Sequence, residues 1–233
     1  MRRLSCLTSA CLAVGLAAVS LPVRAQAPGT PSSLPLVVDM RKVALGSWAE
    51  YAAKVGDLTL SSRWTLVARD RKSNTIEMTT RGKAISKPIV LRVVLAADPT
   101  SDEKPPRPMV VQLGGDPPMM VPKDMPAPKF QRPDPKSLVG SEEIKVPAGT
   151  FKTLHYREKN DAGTVDIWVS EAVAPIGVVK ATTTPLVDQS QPAALQTAPF
   201  SQELAATGKG GKASITKKPR PFDDQKMRGL IAP

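Results

Sequence analysis

The chain has 233 residues, with 32 Lys and Arg against 21 Asp and Glu, one His and two Cys. This length suits one domain with a hydrophobic core, and aromatic residues make up only 4%, so the core has to rest on aliphatic side chains. The near absence of His and Cys argues against zinc or iron sites built from those residues.

The first 25 residues predict an export signal. Arg2 and Arg3 precede a short apolar run at residues 12–21, and residues 23–25 (VRA) place small side chains at the −3 and −1 positions of a signal peptidase site. The run is too short to span a bilayer, so the sequence predicts no transmembrane span. We therefore expect cleavage after Ala25 and a periplasmic or secreted protein.

A lipoprotein signal is the alternative, with Cys11 as the acylated residue. It is disfavoured because Cys11 comes before the apolar run rather than after it. Cleavage after Ala25 would remove both Cys6 and Cys11, so the mature chain could form no disulfide. It would also leave 29 Lys and Arg against 21 acidic residues, a net charge of +8.

Residues 37–207 predict a β-rich domain that follows a flexible leader at residues 26–36. Short runs of Val, Ile, Thr, Phe and Tyr alternate with polar residues and are bounded by Gly, Pro, Asn and Asp, which is typical of antiparallel strands. Residues 200–207 fit either a helix or a last strand. The predicted strands cover residues 43–55, 58–69, 74–81, 89–95, 109–113, 140–146, 151–159, 164–170 and 176–183.

Residues 99–135 interrupt this pattern with eleven prolines. Proline removes a ladder donor, so most of this Pro-rich insertion should not pair within a sheet. We interpret it as a mobile surface loop or as a flap over a cavity. Met109, Met119, Met120 and Met125 lie in it; thioethers bind Cu(I), but apolar gap-filling is the usual role of Met and no His or Cys is nearby.

Residues 208–233 form a basic tail with seven cations against Asp223 and Asp224. Its composition predicts a largely disordered segment that either serves solubility or contacts an anionic envelope surface. Nucleic acid is not an expected partner, because aromatic residues are few and no recognition motif is present. The predicted fold class is mainly β: a single antiparallel curved sheet or half-open β-barrel, with a long Pro-rich insertion and a disordered basic C-terminal tail.

The chain has GSWAEY at residues 46–51, VPAGTF at 146–151, IWVS at 167–170, PIGVVK at 175–180 and ELAATGKG at 203–210. These motifs resemble those of exported bacterial β-rich proteins grouped with the lipoprotein-carrier (LolA- and LolB-like) half-barrels. The resemblance implies a curved half-open barrel. It implies no catalytic residues, and the Pro-rich insertion departs from a plain carrier.

The sequence offers no catalytic constellation, so we expect a protein that is not an enzyme and has no cofactor or metal. His155 lies mid-strand and is interpreted as a half-exposed histidine, since the chain has no Gly-x-Ser-x-Gly nucleophile elbow. Glu142 and Glu143 should point to opposite faces of their strand, and Asp166 is expected on a solvent face. Trp168 is read mainly as a packing residue, with a groove lip or an exposed platform as alternatives.

Two functions remain open. The first is a binding module whose concave apolar face holds a lipid or another apolar ligand; the second is a structural or protein-interaction module of the cell envelope with a filled core. A carrier needs an internal cavity of several hundred cubic ångströms, whereas a filled core has the same side chains close-packed. The candidate ligand-binding residues are Leu60, Trp64, Leu91, Val93 and Ile167.

Overall fold

The computed structural model describes residues 34–99, 109–122, 130–160, 163–186 and 198–223. These ranges contain thirteen strands and two short 3-10 turns, at Met40–Lys42 and Pro135–Ser137. The described part of the chain contains no apolar helix of membrane-spanning length. The strands are β1 Leu34–Pro35, β2 Trp48–Val55, β3 Leu58–Arg69, β4 Ser73–Gly82, β5 Ile89–Ala96, β6 Val110–Leu113, β7 Met119–Met120, β8 Phe130–Gln131, β9 Leu138–Val146, β10 Gly149–Asn160, β11 Gly163–Val169, β12 Val178–Pro185 and β13 Phe200–Gly208.

Eleven of these strands form one sheet in the order β7-β6-β5-β4-β3-β2-β13-β12-β11-β10-β9. Every neighbouring pair is antiparallel. The remaining two strands, β1 and β8, form a separate parallel pair. This confirms the predicted fold class, a mainly β protein with one large antiparallel sheet.

The predicted strands are present, with shifted ends. The first strand begins at Trp48 instead of Val43 because the preceding residues turn: Gly46 has a φ of 76° and the Ser47 amide donates to the Ala44 carbonyl at 3.1 Å. Residues 200–207 are a strand, because β13 fills the space between β2 and β12 and buries Gln202 and Leu204.

The inner face of the sheet carries the main hydrophobic core. Across β3, β4 and β5, Trp64, Met78 and Leu91 stand opposite one another on this face. Side chains from outside the large sheet cover it: Leu36, Val38, Met40, Val121 and Phe130 are buried in the same cluster. Burial removes these apolar surfaces from water, which is the main stabilising contribution in such a core.

Tyr51 connects the two halves of the sheet on this inner face. Its ring is fully buried on β2, and its hydroxyl donates to the Val178 carbonyl on β12 at 3.0 Å. Burial raises the pKa of the Tyr51 hydroxyl far above its usual range, so the group remains a neutral donor.

The basic tail corrects one prediction. Residues 209–220, called the strap below, cross the outer face of the sheet after β13. Ile215 is 2% exposed and packs with Val90 and Val110, and the Arg220 main chain bonds to Pro118 and Met120. The prediction of a disordered tail is therefore wrong for residues 209–223, since an apolar anchor and main-chain hydrogen bonds hold this segment. Residues 224–233 lie outside the described residues.

Candidate functional site

The five candidate ligand residues all belong to the inner face, as predicted. A direct register line runs from Ile167 on β11 through Ala181, Gln202 and Ala53 to Leu60 on β3. Trp64, Leu91 and Val93 follow on the same face. The period-2 pattern therefore identified the shared face correctly.

The structure brings three of these residues together, around a space that is filled. Trp64, Leu91 and Val93 surround a cavity of about 10 Å³, which is no larger than the roughly 10–15 Å³ that one water requires. Phe130 from the Pro-rich insertion closes it, with its ring edge-on to Trp64 at 6.3 Å between centroids. In this structure the insertion supplies a core side chain here.

The other two candidates lie apart from that group. Leu60 is buried and packs closely against Gly82. A Cβ atom added to Gly82 would be only 2.5 Å from the Leu60 Cδ2 atom. Ile167 belongs to a second cluster with Val165 and Val169, against which Val37 and Tyr156 pack. A role for any of the five in ligand binding stays a prediction.

An open groove of about 720 Å³ lies next to this second cluster. Its volume falls within the range of about 300–1,000 Å³ that small-molecule sites occupy. Sequence reasoning did not find this groove, because its walls come from distant parts of the chain. The lining residues are Leu36, Val37, Arg132, Pro133, Asp134, Pro135, Ser141, Lys152, Thr153, Leu154, Tyr156, Val169, Ser170 and Glu171.

The floor of the groove is the inner face at β10 and β11. Leu154 stands opposite Val169, and Tyr156 stands opposite Ile167, so their side chains share this face. Leu154 is 42% exposed. An exposed apolar side chain beside an open groove offers surface that a ligand could bury.

The roof of the groove is held by local hydrogen bonds. The Leu36 amide donates to the Gln131 carbonyl at 2.9 Å, which continues the β1–β8 pairing and places residues 36–37 beside residues 132–135. The Asp134 carboxylate accepts from the Lys136 amide at 2.9 Å and caps the short turn that follows. These contacts fix residues 132–135 beside residues 36–37, of which Leu36 is buried in the main core and Val37 packs against the cluster on β11.

Charged side chains also line the groove. Arg132 and Lys152 are exposed cations, and Asp134 and Glu171 are exposed acids. Asp134 is already engaged by the Lys136 amide. The groove thus combines an apolar strip with a few charged groups, and small-molecule sites also combine apolar walls with a few polar groups.

His155 lies on the outer face and differs from its prediction. It is 8% exposed, so its interpretation as a half-exposed histidine is wrong. Its Nε2 atom is 2.6 Å from the Asp166 carboxylate, its Nδ1 atom is 3.1 Å from Glu142, and its ring stacks on Trp168 at 4.3 Å. Neighbouring strands supply these partners.

Asp166 is also buried at 8% exposure, which corrects its expected solvent-facing position. Its carboxylate accepts from Arg157 Nε at 2.7 Å as well as contacting His155. Trp168 Nε1 donates to Glu142 at 2.7 Å, so the packing interpretation of Trp168 suits its contacts. Both ring nitrogens of His155 thus face carboxylates, an arrangement that holds the ring in place.

These contacts offer no catalytic arrangement around His155. The partners of its two ring nitrogens are the Asp166 and Glu142 carboxylates. The nearby Thr153 hydroxyl donates to the main-chain carbonyl of Glu142 at 2.9 Å. Within the described ranges, no cluster of three or more His, Cys, Asp and Glu is arranged to hold a metal ion. That the protein is not an enzyme stays a prediction.

No protein-family model and no curated protein matches the chain. The hypothetical protein CT021 from Chlamydia trachomatis is similar to it at 11% identity, with 77% of this chain and 94% of that chain covered and a TM-score of 0.42. A Bacteroides fragilis protein with a YmcC-like fold, proposed to be exported, is similar at 12% identity, with coverage of 76% and 99% and a TM-score of 0.35. Because both TM-scores are below 0.5, the proposals below rest on the chain's own residues.

Proposed function

We propose that the protein is exported to the periplasm or secreted and, without acting as an enzyme, binds a lipid or another apolar ligand in the open groove. The observation that supports this is the groove's volume of about 720 Å³, next to an apolar strip of Leu154, Tyr156 and Val169. The predicted export signal at residues 1–25 supports the location, and the apolar strip on the groove floor supports the ligand class.

The groove suits an amphipathic ligand better than a fully apolar one. The apolar strip can bury a hydrocarbon chain, which contributes about 0.8 kcal/mol for each buried CH₂ group. Arg132 and Lys152 lie on the same groove and can contact a polar head group. The ligand-binding residues proposed here therefore extend the predicted site from Ile167 towards β10.

The alternative function is a structural or interaction module of the cell envelope with a filled core. The close packing of Trp64, Leu91 and Val93 around about 10 Å³ favours it. In that case the groove would hold solvent and the protein would bind no small ligand. The two proposals differ in whether a ligand accompanies the purified protein.

Native mass spectrometry tests the ligand proposal. The protein is expressed from the full-length sequence, recovered from the cell envelope without detergent, and then offered a fluorescent fatty acid. We expect an additional lipid-range mass that organic extraction removes and the fluorescent probe replaces. Leu154→Arg should lower probe binding at least tenfold, because a charged side chain would stand on the apolar strip.

Leu58→Arg is the matched control. Leu58 has the same exposure as Leu154, 42%, but lies on β3 and does not line the groove. It should leave both probe binding and folding unchanged. A wild-type protein with no additional mass and no uptake of the probe would contradict the ligand proposal and favour the filled module.

A further inference from the structure

The strap concentrates positive charge on the outer face of the sheet. Between residues 209 and 220 it contains five cations and no acidic residue. All five side chains are exposed. They are Lys209, Lys212, Lys217, Lys218 and Arg220.

The strap crosses the strands along one line of outer-face residues. Trp48, Thr65, Glu77, Arg92 and Val110 stand opposite one another from β2 to β6. The strap touches this line from its first residues onward. Trp48 Nε1 donates to the main-chain carbonyl of Lys209 at 3.3 Å. Gly211 lies so close to Thr65 that a Cβ atom added to it would be 2.6 Å from the Thr65 Cγ2 atom.

Glu77 forms the central attachment. This carboxylate is 2% exposed and accepts from the Ser214 amide at 2.6 Å and the Ile215 amide at 3.2 Å. It also accepts from Arg92 Nε at 3.0 Å, and the Arg92 guanidinium donates to the Ile215 carbonyl. A buried carboxylate of this kind is stabilised only when such donors surround it.

The attachments of the strap use its main chain and the Ile215 side chain. The Gly211 amide donates to the Gly46 carbonyl at 2.8 Å, and the Arg220 main chain bonds to Pro118 and Met120 at 2.8 Å each. The ion pairs found among the described residues use other cations of the chain. The five charged groups of the strap are therefore presented to solvent by a segment that is itself fixed.

We propose that the strap is a docking surface for the anionic head groups of an envelope membrane. A fixed row of exposed positive charges is complementary to a surface of lipid phosphates, and each Lys or Arg near such a surface contributes about fivefold to binding. Four of the five are lysines, which act as compact point charges on a diffuse anionic surface. The strap contains no aromatic residue for stacking on bases, which disfavours a single-stranded nucleic acid.

Vesicle co-sedimentation tests this inference. The protein expressed from the full-length sequence is mixed with vesicles of phosphatidylcholine alone or of phosphatidylcholine with phosphatidylglycerol. We expect binding to the anionic vesicles only, weakening as salt is added because exposed charges are screened. The triple variant Lys212→Gln, Lys217→Gln and Lys218→Gln should lower the affinity on the order of a hundredfold.

The control carries the same loss of net charge at other exposed lysines: Lys42→Gln, Lys72→Gln and Lys145→Gln. It should retain binding within about threefold of wild type, because its lysines lie off the strap. Equal loss in both triple variants, absence of binding to anionic vesicles, or preference for an acidic polypeptide over those vesicles would overturn the inference. Neither triple variant alters the groove, so failure here would leave the ligand proposal intact.

Discussion

The inner face of the sheet has two halves that are covered in different ways. Over β3, β4 and β5, Phe130 and the segment before β2 pack directly onto the strands and leave a cavity of about 10 Å³. Over β10 and β11, residues 132–135 stand above the strands and leave about 720 Å³. Both halves have the same alternating apolar pattern, so the capacity for a ligand depends on the covering segments.

The largest expected effect tests whether the first half is a packed core. Leu91 is 3% exposed and lies at the closed cavity. Leu91→Ala should lower the free energy of unfolding by about 2–5 kcal/mol, because the transfer energy is lost and a cavity remains. Urea unfolding followed by tryptophan fluorescence measures this change, with the exposed Leu58→Ala as control.

A loss below about 1 kcal/mol for Leu91→Ala would contradict the packed interpretation, since buried Leu-to-Ala changes cost more. If the variant also lost the ligand mass while its stability was kept, the ligand would lie on the predicted face and not in the open groove. The first result would mean that this half is not tightly packed, and the second that it binds the ligand.

The next effect concerns the outer surface of the closed half. Glu77→Ala removes the acceptor of Arg92 and of two strap amides. The expected loss in the free energy of unfolding is roughly 3 kcal/mol, at the lower end for a broken buried pair because the Arg92 side chain is 24% exposed. Hydrogen exchange should then show faster exchange at Ser214 and Ile215, whose amide donors would have lost their acceptor.

Glu50→Ala provides a matched control on the same face. Glu50 pairs with Arg63 at 2.5 Å, but the two side chains are 28% and 43% exposed. Removing an exposed partner of this kind should cost about 0–1 kcal/mol. Equal destabilisation by the two variants, with no change in strap exchange, would show that Glu77 does not hold the strap.

The alternation at residues 89–95 was enough to predict β5 and its inner face, because alternate side chains of a strand lie on the same face. It could not predict that Phe130 covers this face, since that contact joins residues far apart in sequence within a Pro-rich segment. The order of the strap was missed for a similar reason. A single Ile among several lysines gives no periodic signal. The apolar surface of Val90 and Val110, on which Ile215 packs, exists only once the sheet has formed.

His155 shows the same limit at the level of a single side chain. Its place in a strand followed from the pattern around it, but its burial depends on Glu142, Asp166 and Trp168, which neighbouring strands bring next to the ring. The register between paired strands decides these contacts. That register is set by the turns and by the hydrophobic pattern of the whole buried face. The groove was missed for the same reason, although the alternation of Leu154 and Tyr156 around His155 was visible in the sequence.

The smallest expected change in stability lies in the open half. Leu154→Ala removes a side chain that is already 42% exposed, so the free energy of unfolding should change by no more than about 0.5 kcal/mol. The same substitution should weaken binding of a fluorescent fatty acid several-fold, because the ligand would lose apolar contact on the groove floor. Urea unfolding and probe titration on one preparation separate the two quantities. A large loss of stability would mean that the strands under the groove are as tightly packed as those under Phe130, and the two halves would then not differ as the cavity volumes indicate.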